Sequence, residues 1–304
     1  MRLLLVDGHY YAYRSFFAIQ GLTNSQGDPT NAVFGFVKAL RRMLADLDPG
    51  LAAVVWDAGL PERRMQLLPS YKQQREETPS DLEAQLPVIE EAVAALGAHN
   101  LRLAGHEADD LIAAYAAAAR KDGADIVIAT NDKDIYALVD DRTRIYTTNK
   151  SDVGAAKEGF ALLGGAEVET KWGVPPASIP DVLALTGDSV DNIPGVEGVG
   201  PKTAAKLVLE HGSVANLLEH TSAIKNEKLR AKVEAAAQRV RDNIELVRLD
   251  AGLPLPVPVR DLRLEPDPSA MVALAKKCEF RSLLAEYEKI AARRSSSAQG
   301  ELFS

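Results

Sequence analysis

Short runs of strongly apolar residues recur along the first half of the chain, and each gives way to a stretch with helical spacing. Leu3 to Val6, Ala52 to Trp56 and Ile126 to Ala129 are such runs, rich in the residue types that parallel strands buried on both faces require. Each leads to a carboxylate: Asp7, Asp57 and, after Thr130 and Asn131, Asp132. Between them the period changes. A helix follows Asp7 to about Ile19. Thr30 to Leu47, introduced by Pro29, sets Val33, Phe34, Val37, Leu40 and Leu44 at helical spacing. Asp81 reads as the N-cap of a helix running to Leu96, with Gly97 as its stop. A short strand near Leu101 precedes a helix from Glu107 to Lys121, ended by Gly123. Such alternation predicts an α/β fold, a parallel twisted sheet covered by helices.

Residues 59–80 break the rhythm. This segment is basic and polar, bounded by Pro61 and Pro79, and carries no core-forming period. A connection of that length inside a compact domain is usually functional or disordered, and this one directly follows Asp57. Beyond about Ile179 helix formers dominate, and no strand is expected before a short run at Val257–Leu264. The expected organisation is an α/β domain over 1–178, a mainly helical domain over 179–290, and a Ser-rich, disordered tail over 291–304.

Composition adjusts this picture in a few places. At 304 residues, 46% hydrophobic and 26% charged, the chain has the makeup of a globular protein with room for one large and one smaller domain. The first apolar run is too short for a signal peptide, and no stretch approaches the roughly 18 apolar residues of a membrane span. Cys278 is alone, which excludes an internal disulfide and a multi-cysteine zinc site and fits a reducing cytoplasm. A net charge of −8 argues at first against a polyanionic partner. Its distribution argues otherwise: Arg63, Arg64, Lys72 and Arg75 stand against only Glu62 between residues 60 and 75, and nine Lys/Arg against six Asp/Glu between 201 and 248. Basic patches beside a carboxylate site filled with divalent cations suit nucleic acid.

In open α/β sheets the ligand crevice lies beyond the carboxyl ends of the strands, so Asp7, Asp57 and Asp132 are expected to converge. Glu107, Asp109 and Asp110 open a helix, with Glu107 and Asp110 as i,i+3 neighbours. Asp132 and Asp134 share a side if their segment is extended. Asp188 and Asp191 repeat the i,i+3 spacing in Gly187-Asp-Ser-Val-Asp-Asn192. Two carboxylates about 4 Å apart repel by roughly 4 kcal/mol at an effective dielectric near 20, so a cluster of this size requires cations. Oxygen-only ligation selects Mg²⁺ or Mn²⁺, and two such ions suit in-line displacement at a phosphodiester. Asp also favours helix N-caps and turns, which accounts for Asp7, Asp109 or Asp132 singly. Their joint recurrence points to a metal site.

The run Ile193-Pro-Gly-Val-Glu-Gly-Val-Gly-Pro-Lys-Thr-Ala-Ala-Lys-Leu207 resembles a helix–hairpin–helix element that grips a DNA backbone. Gly195, Gly198 and Gly200 permit a tight turn whose amides can face a phosphate. The helix starting near Lys202 and Thr203 directs its positive end there, and Lys202 and Lys206 add charge. A nucleotide-binding P-loop is one rival, but Pro201 separates Gly200 from Lys202 and no strong apolar strand precedes Gly195. A plain structural turn is the other.

Taken in order, Leu5-Val-Asp-Gly-His9, Pro29-Thr-Asn-Ala-Val33, Tyr71-Lys-Gln-Gln-Arg75, Glu107-Ala-Asp-Asp110, Asp132-Lys-Asp134, the Gly187–Asn192 run and the glycine hairpin resemble the bacterial 5′-nuclease, or flap-endonuclease, family. The likeness covers about residues 1–285 and is to the 5′→3′ exonuclease domain of DNA polymerase I. The chain ends where a polymerase would begin, as either a free-standing nuclease or an isolated domain would. The resemblance implies a PIN-like nuclease core with a helical arch at about 59–80. It implies a first metal on Asp7, Asp57, Glu107 and Asp109, a second toward Asp132, Asp134 and Asp191, and Asp110 and Asp188 supporting nearby or through water. Lys72 and Arg75 would neutralise and orient the scissile phosphate, Tyr71 would stack on an unpaired base, and Arg64 would join the DNA contacts; an exposed charged loop with a packed tyrosine is the alternative. A K⁺ held by hairpin carbonyls is also implied. Asn131 stands where the family usually has a small residue, a tolerable departure.

The implied activity is two-metal 5′→3′ exonuclease and 5′-flap endonuclease cleavage of DNA and RNA primers in replication and repair, by a monomer in nucleoid-associated cytoplasm. Gln299-Gly-Glu-Leu302-Phe303 resembles the pentapeptide by which bacterial replication proteins dock on the sliding clamp, with a disordered terminus as the alternative. Two other functions stay open. A single-stranded RNA metallonuclease would not need Gly198 and Gly200. A non-catalytic junction-binding scaffold would bind flaps without metal-dependent turnover, and the complete carboxylate set argues against it.

Overall fold

A computed structural model describes residues 1–153 and 159–301. The chain opens with β1 (Arg2–Asp7), α1 (Gly8–Ala18), α2 (Asn31–Leu47) and β2 (Leu51–Val55). Then come α3 (Glu62–Leu67), α4 (Ser80–Glu83), α5 (Leu86–Ala95), β3 (His99–Leu101), α6 (Ala108–Lys121), β4 (Asp125–Ala129) and β5 (Thr143–Thr147). Short elements follow: α7 (Lys150–Val153), β6 (Ala161–Leu163), α8 (Gly165–Trp172), α9 (Ile179–Thr186), β7 (Gly187–Asp188) and β8 (Ile193–Pro194). The rest is helical: α10 (Pro201–His211), α11 (Val214–Glu219), α12 (Glu227–Ala235), α13 (Ala237–Val247), α14 (Pro268–Lys277) and α15 (Arg281–Glu301). No helix among the described residues is long and apolar enough to cross a membrane.

Two compact units form, and they interleave along the chain. One gathers residues 1–56, 77–102 and 255–304; the other gathers 57–76 and 103–254. The expected boundary at 178 falls inside the second unit, and α14 and α15 belong with the first.

In the first unit β1 to β3 are parallel, in the order β3-β2-β1. Leu3 to Val6 and Leu51 to Trp56 are buried without exception, as strands covered on both faces must be. Gly8 follows because nothing larger fits: a Cβ there would stand 2.5 Å from the Trp56 ring. The buried stripe of α2 runs through Val33, Phe36, Val37, Leu40 and Met43, so Phe34 and Leu44 lie at its margin. Phe34 is covered instead by Phe280, with ring centroids 5.2 Å apart.

The single helix expected from Asp81 to Leu96 is two, α4 and α5, and Asp81 is not its cap. Buried Gln85 occupies the break. Its Oε1 accepts from the Ala32 amide (2.8 Å), its Nε2 donates to Asn31 Oδ1 (3.0 Å), and Thr30 makes no side-chain cap bond. A side chain from another helix thus satisfies the free amides at the start of α2. The region Val257–Leu264 forms no strand; it makes one bridge, Leu51 to Arg263, and a backbone bond from Ala52 N–H to Leu262 O (3.0 Å). Helix α15 runs to Glu301, through most of the tail expected to lack structure. Leu302 and Phe303 lie outside the described residues.

In the second unit β4 pairs parallel with β5, and β5 antiparallel with β6, so the expected parallel sheet carries one antiparallel strand. The small β7–β8 ladder was not expected. Buried Asn243 on α13 donates from Nδ2 to both Ala184 O and Pro194 O, each at 2.9 Å, pinning α9 to β8. There the backbones touch: a Cβ on Gly195 would stand 2.2 Å from the carbonyl carbon and oxygen of Thr186. Gly195 is therefore required as glycine by close packing. Gly198 has φ +76° and needs its conformational freedom, whereas Gly200 caps α10 with nothing within 4 Å of a Cβ.

This contrast is testable by thermal unfolding. Gly195→Ala overpacks the α9–β8 contact and is expected to cost about 2 kcal/mol or more. Gly200→Ala is expected to cost less than about 1 kcal/mol.

Candidate active site

The second unit brings together most of the carboxylates singled out in the sequence. At the start of α6, exposed Asp57 accepts from the Ala108 amide through Oδ1 at 2.8 Å, serving one of the free N–H groups of that helix end. Glu107, at the N-cap position but extended, makes no cap bond of its own. Its carboxylate instead meets Arg64 Nη1, Lys72 Nζ and the Tyr71 hydroxyl. Asp109 is half-buried. Asp110 is buried and held by both Nη atoms of Arg64, at 2.8 and 2.9 Å, and by the Asp250 amide at 2.9 Å.

The basic segment 59–76 is only partly helical: α3 is followed by turns over 69–74. Lys72 adopts φ +56° and donates its amide to Asp191 O at 3.1 Å. Its ammonium pairs with Glu107 and lies 3.7 Å from Asp191 Oδ2. Burial alone would lower the Lys72 ammonium, but Glu107 and Asp191 hold it above its usual value. Arg75 Nη2 meets Asp191 Oδ1 at 2.8 Å, with 45% of its side chain exposed.

Two side chains expected to contact DNA are buried in this arrangement. Arg64 is 4% exposed, and its guanidinium is spent on Glu107, Asp110 and two backbone carbonyls, Leu246 O and Arg248 O. Tyr71 is 3% exposed, with its hydroxyl on Glu107 and Asp191 and the Lys72 ammonium 5.0 Å from its ring centre. It is a packed tyrosine, and burial followed by the charges of Asp191 and Glu107 pushes its hydroxyl pKa up. Neither side chain is free to meet a base or a phosphate in this arrangement.

The second carboxylate group is tighter. One oxygen from each of Asp134, Asp188 and Asp191 lies within 4.8 Å of the other two. Asp132 is beside them, but its segment is not extended: Asp132 Oδ1 accepts from the Asp134 amide at 2.9 Å, and Asp134 begins a 3₁₀ turn. Asp188 pairs with Lys133 at 2.6 Å and accepts from the Val190 amide at 2.9 Å. Lys133 escaped the sequence reading, although a cation between two aspartates in Asp-Lys-Asp was a usable signal. Asp134 Oδ1 is buried with no hydrogen-bond partner among the described residues. Desolvation, then Asp132, Asp191 and Asp188, push the Asp134 carboxyl well above the usual range. Desolvation also raises Asp132, against the opposing hydrogen bond from the Asp134 amide. An unpartnered buried oxygen within an all-carboxylate group fits a hard divalent cation.

Asp7 belongs to the first unit. It is buried at the end of β1 and caps α1, accepting from the Tyr10 amide at 3.0 Å. In the hairpin, Lys202 and Lys206 are exposed and Thr203 half-buried on α10. Lys232, a cation not singled out from the sequence, lies 3.2 Å from Glu197, with its Nζ 3.2 Å from where a Gly198 Cβ would stand.

An α/β scaffold with carboxylates at its strand ends and helix starts, followed by helices joined through a glycine hairpin, is the arrangement that metal-assisted cleavage of a phosphodiester calls for. Residues 2–173 match the family model of the 5′-3′ exonuclease N-terminal, resolvase-like domain, and residues 174–269 match that of the 5′-3′ exonuclease C-terminal SAM fold. The chain belongs to the 5′-3′ exonuclease family. It is 37% identical to the 5′-3′ exonuclease of Aquifex aeolicus over 289 residues, covering 95% of this chain and 96% of that one. It is 41% identical over 286 residues to the thermostable DNA polymerase I of Thermus thermophilus, covering 94% of this chain and 33% of the polymerase; it spans about a third of the length of such polymerases. Its fold is similar to that of the bacteriophage T5 D15 flap endonuclease in a complex with DNA and metal ions, with a TM-score of 0.65, 18% identity, and 96% of this chain and 100% of that one covered.

The raised Asp134 carboxyl predicts a pH signature. A carboxyl whose folded pKa is raised gives stability that is full below its unfolded pKa and is lost as pH rises through the folded one. In EDTA, Asp134→Asn is expected to raise the unfolding midpoint at neutral pH. The gain should shrink as pH falls toward the ordinary carboxyl range, as thermal unfolding across pH would record.

Proposed function

We propose that the chain is a divalent-metal-dependent 5′→3′ exonuclease and 5′-flap endonuclease that hydrolyses DNA and RNA-primer phosphodiesters in replication and repair. The observation that carries this reading is the Asp134–Asp188–Asp191 group, mutually within 4.8 Å, with one buried oxygen unpartnered. The family supports it, as do the flap-endonuclease activity, DNA and metal ions of the similar T5 structure. Two ions, Mg²⁺ or Mn²⁺, would be held: one by Asp57, Glu107 and Asp109, the other by Asp132, Asp134, Asp188 and Asp191. Asp7 joins the first set on the family motif alone. When bound, the ions supply Lewis acidity to the phosphate oxygens.

The chain's own cations do the rest. Lys72 and Arg75 already sit on Glu107 and Asp191, so a short side-chain movement brings either to a phosphate at these carboxylates, where it steadies developing charge. Half-exposed Arg75 meets the phosphate first. The amides near Gly198 and Gly200, with Thr203 and exposed Lys202 and Lys206, would hold the duplex backbone without reading sequence. A K⁺ at the hairpin, docking of Gln299, Leu302 and Phe303 on the sliding clamp, and a monomer in nucleoid-associated cytoplasm complete the proposal on the family resemblance.

The test is cleavage of a labelled 5′-flap duplex. Mg²⁺ should support cutting near the junction, EDTA should abolish it, and Asp109→Ala should slow it by about 100-fold or more. Tight flap binding without cutting in Mg²⁺ or Mn²⁺ would instead favour the non-catalytic scaffold.

A further inference from the structure

We propose that Arg64 is a positioning residue that fixes Glu107 as a one-oxygen metal ligand and, through the same guanidinium, withdraws Asp110 from the metal set. The proposal rests on the metal site advanced above and gives Arg64 a part inside that site, where the resemblance implied a DNA contact.

Each nitrogen of the Arg64 guanidinium is engaged. Nε donates to Leu246 O at 2.9 Å, Nη1 to Glu107 Oε2 and to Asp110 Oδ2, and Nη2 to Asp110 Oδ1 at 2.9 Å and Arg248 O at 3.2 Å. The two carbonyls lie at the C-terminal end of α13, where a cation is favourable. Both oxygens of Asp110 are thereby used, Oδ1 twice, since it also accepts from the Asp250 amide. Such a two-point fork between guanidinium and carboxylate is strong and directional. Asp110 fixes Arg64, and Arg64 in turn fixes Glu107 Oε2.

The two oxygens of Glu107 differ in their charged partners. Oε1 is held by the Lys72 ammonium, while the Tyr71 hydroxyl straddles the carboxylate, 3.3 Å from Oε1 and 3.2 Å from Oε2. A lysine makes a single-point contact on a flexible stem, whereas the guanidinium fork is locked by five donors. When Lys72 turns to a phosphate, Oε1 becomes available while Oε2 stays anchored. The carboxylate therefore keeps its orientation during the exchange. Arg64 has no donor to spare and is 4% exposed, so it does not exchange.

Arg64→Ala would leave buried Asp110 without its cation and Glu107 with Lys72 alone, and is expected to misfold. The informative variant is Arg64→Lys, which keeps the charge and loses the fork, studied beside Asp110→Asn and Glu107→Gln with thermal unfolding as a folding control. Calorimetric titration with Mn²⁺ should show binding weakened about tenfold or more in Arg64→Lys, the scale of a lost orienting bond. Asp110→Asn should weaken it less than Glu107→Gln. Flap-DNA affinity in EDTA, and its salt dependence, should match the parent protein in Arg64→Lys. Parental Mn²⁺ affinity in Arg64→Lys would overturn the role of Arg64. So would a salt slope reduced by about one, which marks a lost phosphate contact. An Asp110→Asn loss equal to that of Glu107→Gln would return Asp110 to the ligands. A parent protein that binds no Mn²⁺ at all would overturn the metal site itself, a failure distinct from the others.

Discussion

Buried negative charge is the constraint on which the second unit depends. Glu107, Asp110, Asp188 and Asp191 are each less than 10% exposed, and a buried charge left without its partner costs about 3–5 kcal/mol. A whole domain is stable by only about 5–15 kcal/mol, so two or three such omissions would unfold it. Arg64, Lys72, Arg75 and Lys133 answer this demand directly. Their placement explains why a run that looks solvated in sequence folds inward. Where the answer is incomplete, at Asp134, the carboxyl is driven toward its neutral form.

The first unit is organised by apolar burial. Its parallel strands are sealed on both faces, and its polar interior side chains, Asn31 and Gln85, are spent on one another and on backbone groups. The chain returns after residue 255 to complete this unit: the Asp267 amide bonds to Ala95 O at 2.9 Å and Phe280 covers Phe34. Strand ends of this kind are held in place by packing on their own element, which suits them to carry reactive side chains.

Much of this was legible in the chain. β1, β2 and β4 are dense apolar runs, and the long helices α2 and α6 have a clear period, so few alternatives compete for them. The carboxylates were legible because they recur at strand ends and helix starts. β5 and β6 escaped because Thr143-Arg-Ile-Tyr-Thr147 alternates weakly and β6 is three residues long. The break at Gln85 depends on amides more than fifty residues away. Arg64 reads as a surface cation from its neighbours and becomes interior only because Glu107 and Asp110 lie opposite it. Gly195 and Gly198 look alike in the sequence, yet one is required by contact and the other by φ, a distinction that exists only in three dimensions.

The basic segment and the loop joining β7 to β8 are laced together by backbone as well as charge. Lys72 N–H reaches Asp191 O, Asn192 Nδ2 reaches Ser70 O at 2.8 Å, and Gln74 reaches Ser189 O. Lys72 and Asn192 both take left-handed conformations at the seam. An insertion or deletion in either loop would put every one of these bonds out of register. The two stretches, more than a hundred residues apart, therefore act as one unit of fixed length, and grafting one onto a related scaffold calls for transplanting the other with it.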